Sequence, residues 1–224
     1  MSSRDQWSWW LGRRVSRSAA SRGQSLVEFS LVFPIFLVLF LGVLEFAFAF
    51  NAQLSINYAT RDAALIAAEA GNAPGADCVV LKQVDADVTP PANAASITQV
   101  KIFWTNTVGD PLDTAGAVTT DGSSTQADNV YVRGGTTTCT FADGTTLTVP
   151  YMLQGTAMYP ESQRCNYLQG ITAGCAAGHT GLDTVAVQVT YFDNWHTPLH
   201  NLIGPVASGW TLLQTNAMRM EPVL

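Results

Sequence analysis

The chain has 224 residues, room for one ordinary domain plus an anchor, and its 12% charged and 47% hydrophobic residues fit a chain that carries a membrane segment. The net charge of −6 is unevenly spread. Residues 1–22 hold five arginines against one aspartate, a net +4, while the remainder holds six basic and sixteen acidic groups, a net −10. The acidic body argues against nucleic acid and anionic lipid as its partners. The basic arm abuts an apolar run, so the positive-inside rule predicts a cytoplasmic arm and an exported remainder.

The elements follow in chain order. Residues 1–23 form a polar, basic leader in which Trp7, Trp9 and Trp10 stand out. Indole rings favour the membrane interface, and the alternative is an unstructured leader that is later discarded. From Gln24 the chain reads as helix. Phe29 to Phe50 is a 22-residue apolar run. As a helix it spans about 33 Å, enough for a hydrocarbon core of about 30 Å. A secretory signal peptide has a shorter apolar region and a small-residue cleavage site after it, and Asn51–Leu54 lacks that site. Pro34 removes one helix donor and predicts a kink, either a tolerated one or one that lets the helix slide. Beyond Phe50, Leu54, Tyr58, Leu65 and Ala68 keep near-helical spacing among many alanines, and Arg61 and Asp62 fall between the larger apolar residues. Gly71-Asn72-Ala73-Pro74-Gly75 ends the pattern. The expectation is one helix over 24–70, half in lipid and half in water.

After residue 75 the texture turns to Thr, Val, Gly and Asp, and residues 76–224 are expected to form an extracytoplasmic domain. Ile97–Trp104 alternates as a strand, and Thr137–Val149 reads as a hairpin around Ala142-Asp143-Gly144. Asp183–Phe192 is the clearest strand, with Val185, Val187, Val189 and Tyr191 on one face, and Thr211–Met220 is the last. Residues 105–129 and 155–182 are expected to be loops. The fold class is α+β, with the long N-terminal helix packed on an antiparallel sheet. Cys78, Cys139, Cys165 and Cys175 all lie on the exported side, where two disulfides can form in three ways. Cys165 with Cys175, close together in a Gly-rich stretch, is the first choice and leaves Cys78 with Cys139.

Glu28 carries the chemistry at the helix head. A carboxylate at the start of a membrane helix is costly unless it snorkels or finds a partner. Cleavage between Gly23 and Gln24 would create an α-ammonium at Gln24, which the Glu28 carboxylate of a neighbouring subunit could neutralise. The plainer reading is an interfacial glutamate with no partner. Glu45, near the outer end of the run, either pairs with a basic residue of another subunit or sits among the outer headgroups. His196 and His200 flank Pro198 and lack the Glu of a H-E-x-x-H site, so metal binding is not expected. Asp110, Asp113 and Asp121 do not follow a calcium loop and read as loop solvation. Ser123, Ser124, His179 and Asp183 could be imagined as a hydrolytic set, but no G-x-S-x-G exists. No catalytic residue, metal or cofactor is expected.

The stretch RGQSLVEFSLVFPIFLVLFLGVLEFAFAFNAQLSINYATRDAALIAA resembles the TadE-like family, the minor pilin-like proteins of the tight-adherence (Flp-type) pilus system. The matching elements are Gly23, Glu28, Phe29, Pro34, Gly42, Glu45-Phe46, and Ala59, Arg61, Ala63 and Ala64. The tail is similar too: an alternating Val strand, then Asn216-Ala217-Met218-Arg219-Met220-Glu221-Pro222. The resemblance implies a prepilin cut after Gly23 by a prepilin peptidase. It further implies packing through Phe29, Pro34, Glu45 and Arg61 with other pilins, contact with pilus assembly platform proteins and membrane lipid, and a place at the tip or base of an adhesive pilus. The alternative is an uncleaved membrane-anchored ligand-binding or adhesion module.

Overall fold

A computed structural model describes residues 18–167, 175, 179, 181–203 and 208–222. Trp7, Trp9 and Trp10 of the leader lie outside them. The chain divides into two compact units, residues 1–43 and 44–224. Helix α1, Ser18–Ala70, contributes to both. It begins six residues before the expected start at Gln24 and remains helical through Pro34.

Within the second unit, α1 lays one line of small residues on the sheet. Ala52, Ile56, Ala59, Ala63 and Ala67 recur at spacings of three and four, and all are buried. Alanine adds little bulk, so most of the large side chains between helix and sheet come from the sheet. The sheet is antiparallel with strand order β3-β2-β1-β4-β5. The strands are β1 (Ile97–Thr105), β2 (Asp128–Thr140), β3 (Thr146–Leu153), β4 (Thr184–Asn194) and β5 (Gly209–Arg219). Val100 and Ile102 of β1 and Val185, Val187, Val189 and Tyr191 of β4 supply the facing layer of the core. Asn216 of β5 donates to the Thr60 hydroxyl at 2.6 Å, which fixes the edge strand to the helix. The hairpin turns at Phe141–Thr145, where Gly144 takes φ +83° and the Asp143 carboxylate accepts the Thr145 amide.

Residues 76–87 depart from expectation, because they form a second helix, α2 (Ala76–Asp87). Its start follows Gly75, whose φ of +86° favours glycine and beside which a Cβ would press on the Phe141 ring. No local side chain caps it. The cap comes from Glu161, whose carboxylate accepts the amides of Gly75 and Asp77 at 2.8 and 2.7 Å. Burial and the nearby Asp77 charge push the Glu161 carboxyl up. Cys78, Leu81 and Val84 give α2 its buried face. The Cys78–Cys139 disulfide ties α2 to β2, and Cys165 pairs with Cys175, Cα atoms 6.1 and 4.8 Å apart.

The expected loops also hold more order than their composition suggests. Residues 128 and 129 open β2, and Glu161–Gln163 form a 3-10 turn. Asp121 is not mere loop solvation, since it pairs with the nearly buried Lys101 on the sheet and also accepts from Gln188. Asp113 holds the amides of Ala115 and Ala117, and Asp110 accepts from Asn106.

Arg164 is fully buried and faces the Asp77 carboxylate at 2.5 Å. The second oxygen of Asp77 accepts from Asn129 and from the Tyr131 hydroxyl, both at 2.8 Å. Burial works against the Arg164 charge, and Asp77, Tyr159 and Glu161 together outweigh it, so the guanidinium is held above its ordinary pKa. Removing one member of such a pair strands the other charge. Arg164→Ala is expected to lower the unfolding free energy by about 3–5 kcal/mol. Asp77→Asn combined with Arg164→Met should recover part of that loss. Urea unfolding with both disulfides intact measures both.

Candidate functional site

The first unit offers an apolar helix surface headed by a carboxylate. Phe29 is 65% exposed, and its ring lies over Phe33 with centroids 5.2 Å apart. Leu31, Val32, Ile35, Phe36 and Leu39 are exposed as well. By length and composition this helix can cross a membrane. At its head Gln24 Nε2 donates to Glu28 Oε1 at 3.1 Å, an exposed contact one helical turn long. Gly23 lies in the same helix, and a Cβ there would meet nothing within 4 Å.

Glu45 belongs to the second unit and is 4% exposed. Neither expected setting, a partner subunit or the headgroups, describes it. Its two oxygens accept the backbone amides of His196 and Thr197, each at 2.9 Å. Those amides lie just before a short helix, α3 (Leu199–Ile203). The His196 ring stacks on Phe48 with centroids 4.7 Å apart. Its Nδ1 stands 3.8 Å from Glu45 and 3.9 Å from Asp193. Burial pushes the Asp193 carboxyl up, with His196 opposing and Glu45 adding to the shift. Glu45 thus closes a link within the chain across 151 residues of sequence.

The remaining candidates separate. The Arg61 side chain is exposed, with no hydrogen bond or ion pair to another side chain among the described residues. His200 Nδ1 turns to the Thr197 carbonyl. Among the described residues no group of three His, Cys, Asp or Glu side chains is placed to hold a metal. His179 and Asp183 do meet, Nδ1 to Oδ1 at 2.6 Å, with the imidazole stacked on Trp104 at 3.9 Å. Ser123 instead bonds Thr125 in its own loop. The Asp183 carboxylate also takes the Tyr159 hydroxyl and the Cys165 amide, so the pair is built into the core. Asp77, Glu161, Arg164 and Asp193 were not singled out from the sequence. Only α2 left a readable trace, the 3-residue spacing of Cys78, Leu81 and Val84.

A membrane-length apolar helix with a glycine and an acid at its head continues into an α+β unit held by two disulfides. Residues 23–65 match the family model described as TadE-like protein, beginning at Gly23 and covering the apolar run and most of the alanine-rich half. This N-terminal region is TadE-like. No curated protein and no solved structure matches the chain.

Glu45→Gln keeps the size of the side chain but removes the charge that the two amides face. It is expected to cost about 1–3 kcal/mol. Amide hydrogen exchange at His196 and Thr197 should quicken while exchange in β1 and β2 is unchanged.

Proposed function

We propose that the chain is a TadE-like minor pilin of a tight-adherence pilus, acting in assembly at the tip or base of an adhesive fibre. The observation that carries this is the pair Gly23 and Glu28 at the head of the exposed apolar helix, inside the matched segment. Glycine inside a helix costs about 1 kcal/mol relative to alanine. Nothing in the fold calls for it at residue 23, where a Cβ would stand in open space. A processing enzyme that reads this position supplies a reason the fold does not.

In this reading a prepilin peptidase cuts between Gly23 and Gln24, and the arginine-rich leader stays on the cytoplasmic side. The new Gln24 ammonium of one subunit meets the Glu28 carboxylate of its neighbour. That exchanges the weak Gln24–Glu28 contact for a charge pair and lets both charges enter an apolar bundle. The exposed phenylalanines and leucines rest in lipid before assembly and against other pilins after it. Assembly platform proteins are the further partners. Residues 76–224 stay outside the membrane, where their two disulfides suit an oxidising compartment. No step in this role calls for catalysis or a cofactor.

The mass and N-terminal sequence of the mature chain test the reading. Loss of residues 1–23 is the expected result. An intact leader in cells that express the whole pilus system would instead make this an uncleaved membrane-anchored binding or adhesion module. Glu28→Ala should leave membrane insertion unchanged. If the ammonium–carboxylate pair is worth about 1.4 kcal/mol, incorporation into pili falls about tenfold. Quantitative blotting of sheared pili against the membrane fraction measures it, and equal incorporation removes Glu28 from the mechanism.

A further inference from the structure

We propose that the aromatic corner around Trp195 and Trp210 seats in the headgroup layer of a zwitterionic bilayer, and that the hydrocarbon core ends at Glu45 rather than at Phe50. The Glu45 carboxylate holds the amides of His196 and Thr197, both at 2.9 Å. Residues 195–197 lie between the end of β4 and the start of α3, in neither strand nor helix. Asn194 and His196 are exposed there. Irregular backbone open to lipid does not occur inside hydrocarbon. A segment of that kind, tied to residue 45, stops the hydrocarbon at residue 45. The shortened span is still long enough, because residues 26–44 make about 28 Å of helix against a core of about 30 Å. Glu28 falls near its cytoplasmic end, with Gln24 donating to it from one turn closer to that surface.

Beyond Glu45 the molecule presents rings. Phe46 and Phe50 are largely exposed on α1. The exposed His196 ring stacks on Phe48. Trp195 meets Trp210 edge to face with centroids 5.0 Å apart, and both are half-buried. From Glu45 to Phe50 the helix rises about 8 Å. That matches the layer, about 5–10 Å deep, in which amphipathic rings meet headgroups on one side and methylenes on the other. Charge selects the lipid. Residues 184–218 contain no lysine or arginine, and their one carboxylate, Asp193, is 1% exposed. Such a surface has no cation with which to gather anionic headgroups, and it suits zwitterionic ones. A neighbouring pilin is the competing occupant, and the continuity of these rings with the lipid-length helix favours lipid. The corner stays outside the hydrocarbon, as the rest of residues 76–224 does. The proposal rests on the reading of α1 as a membrane anchor and does not depend on whether the leader is cut.

Fluorine NMR tests it, on the full chain labelled with 5-fluorotryptophan and held one chain to a phosphatidylcholine nanodisc. Trp195→Phe and Trp210→Phe assign the two resonances, and Trp104, buried in the core, is the internal control. Lipid spin-labelled just below the headgroups lies within about 5–10 Å of a ring in that layer, so it is expected to broaden Trp195 and Trp210 about twofold or more and to leave Trp104 unchanged. Lipid spin-labelled at the acyl terminus should broaden none of the three. Replacing part of the lipid with phosphatidylglycerol should not increase the effect. A chain that fails to enter the discs overturns the anchor reading and the proposal with it. Entry with Trp195 and Trp210 untouched by either label overturns the proposal alone and gives the corner to a protein partner. Stronger broadening from the acyl terminus places the corner in hydrocarbon and overturns it as well, and stronger broadening with phosphatidylglycerol overturns the choice of lipid.

Discussion

The second unit depends on one buried charge pair. Arg164 and Asp77 meet with almost no access to water, and each is expensive to bury without the other. Around them gather elements far apart in sequence: α2 through Asp77, β2 through Asn129 and Tyr131, and the 159–165 segment through Tyr159 and Arg164. Glu161, three residues before Arg164, caps α2 from the same segment. The Cys165 amide passes the network on to Asp183, whose backbone carbonyl holds the end of β5. The two disulfides flank this hub, so the covalent and ionic restraints act on the same corner of the fold.

Sequence patterning revealed the long helix and most of the sheet because those elements owe their form to local periodicity. The alternation of Val185, Val187, Val189 and Tyr191 marks a half-buried strand at any position in any fold. On the helix the larger apolar residues mislead: Leu54, Tyr58 and Leu65 are exposed, and the packing face is the smaller line Ala52, Ile56, Ala59, Ala63 and Ala67. Helix α2 carried a weaker trace, with β-branched Val79 and Val80 arguing against it and its cap arriving from Glu161, 84 residues away. Propensity was overridden by a tertiary contact. The buried network was illegible for a related reason. Arg164 and Asp77 look like ordinary surface charges, and only the folded chain reveals that they face one another.

The candidate site divides along the same line. Gly23 and Glu28 are conspicuous because they break an otherwise apolar or helix-forming pattern, and such a break is visible in one dimension. Glu45 breaks the pattern equally, yet its role differed from both expectations. An acid inside an apolar run announces that it needs a partner and does not say whether the partner is lipid headgroup, another subunit or the chain's own backbone. Here the backbone amides at 196 and 197 fill that need, so Glu45 need not be held in reserve for a neighbour.

That link gives the helix a reading frame. Glu45 lies seven residues before Ala52, on the line that continues through Ile56, Ala59 and Ala63. Each residue turns an α-helix by about 100°. With Glu45 pointing inward at one end of the line and the alanines inward along the rest, the azimuth of every intervening side chain is settled. Phe46 and Phe50, 73% and 57% exposed, face away because Glu45 does not. One residue inserted between Glu45 and Ala52 would leave either the carboxylate or the alanine line turned from its partner. The stretch between them therefore behaves as a fixed-length key: its composition can drift among apolar residues, and its residue count cannot.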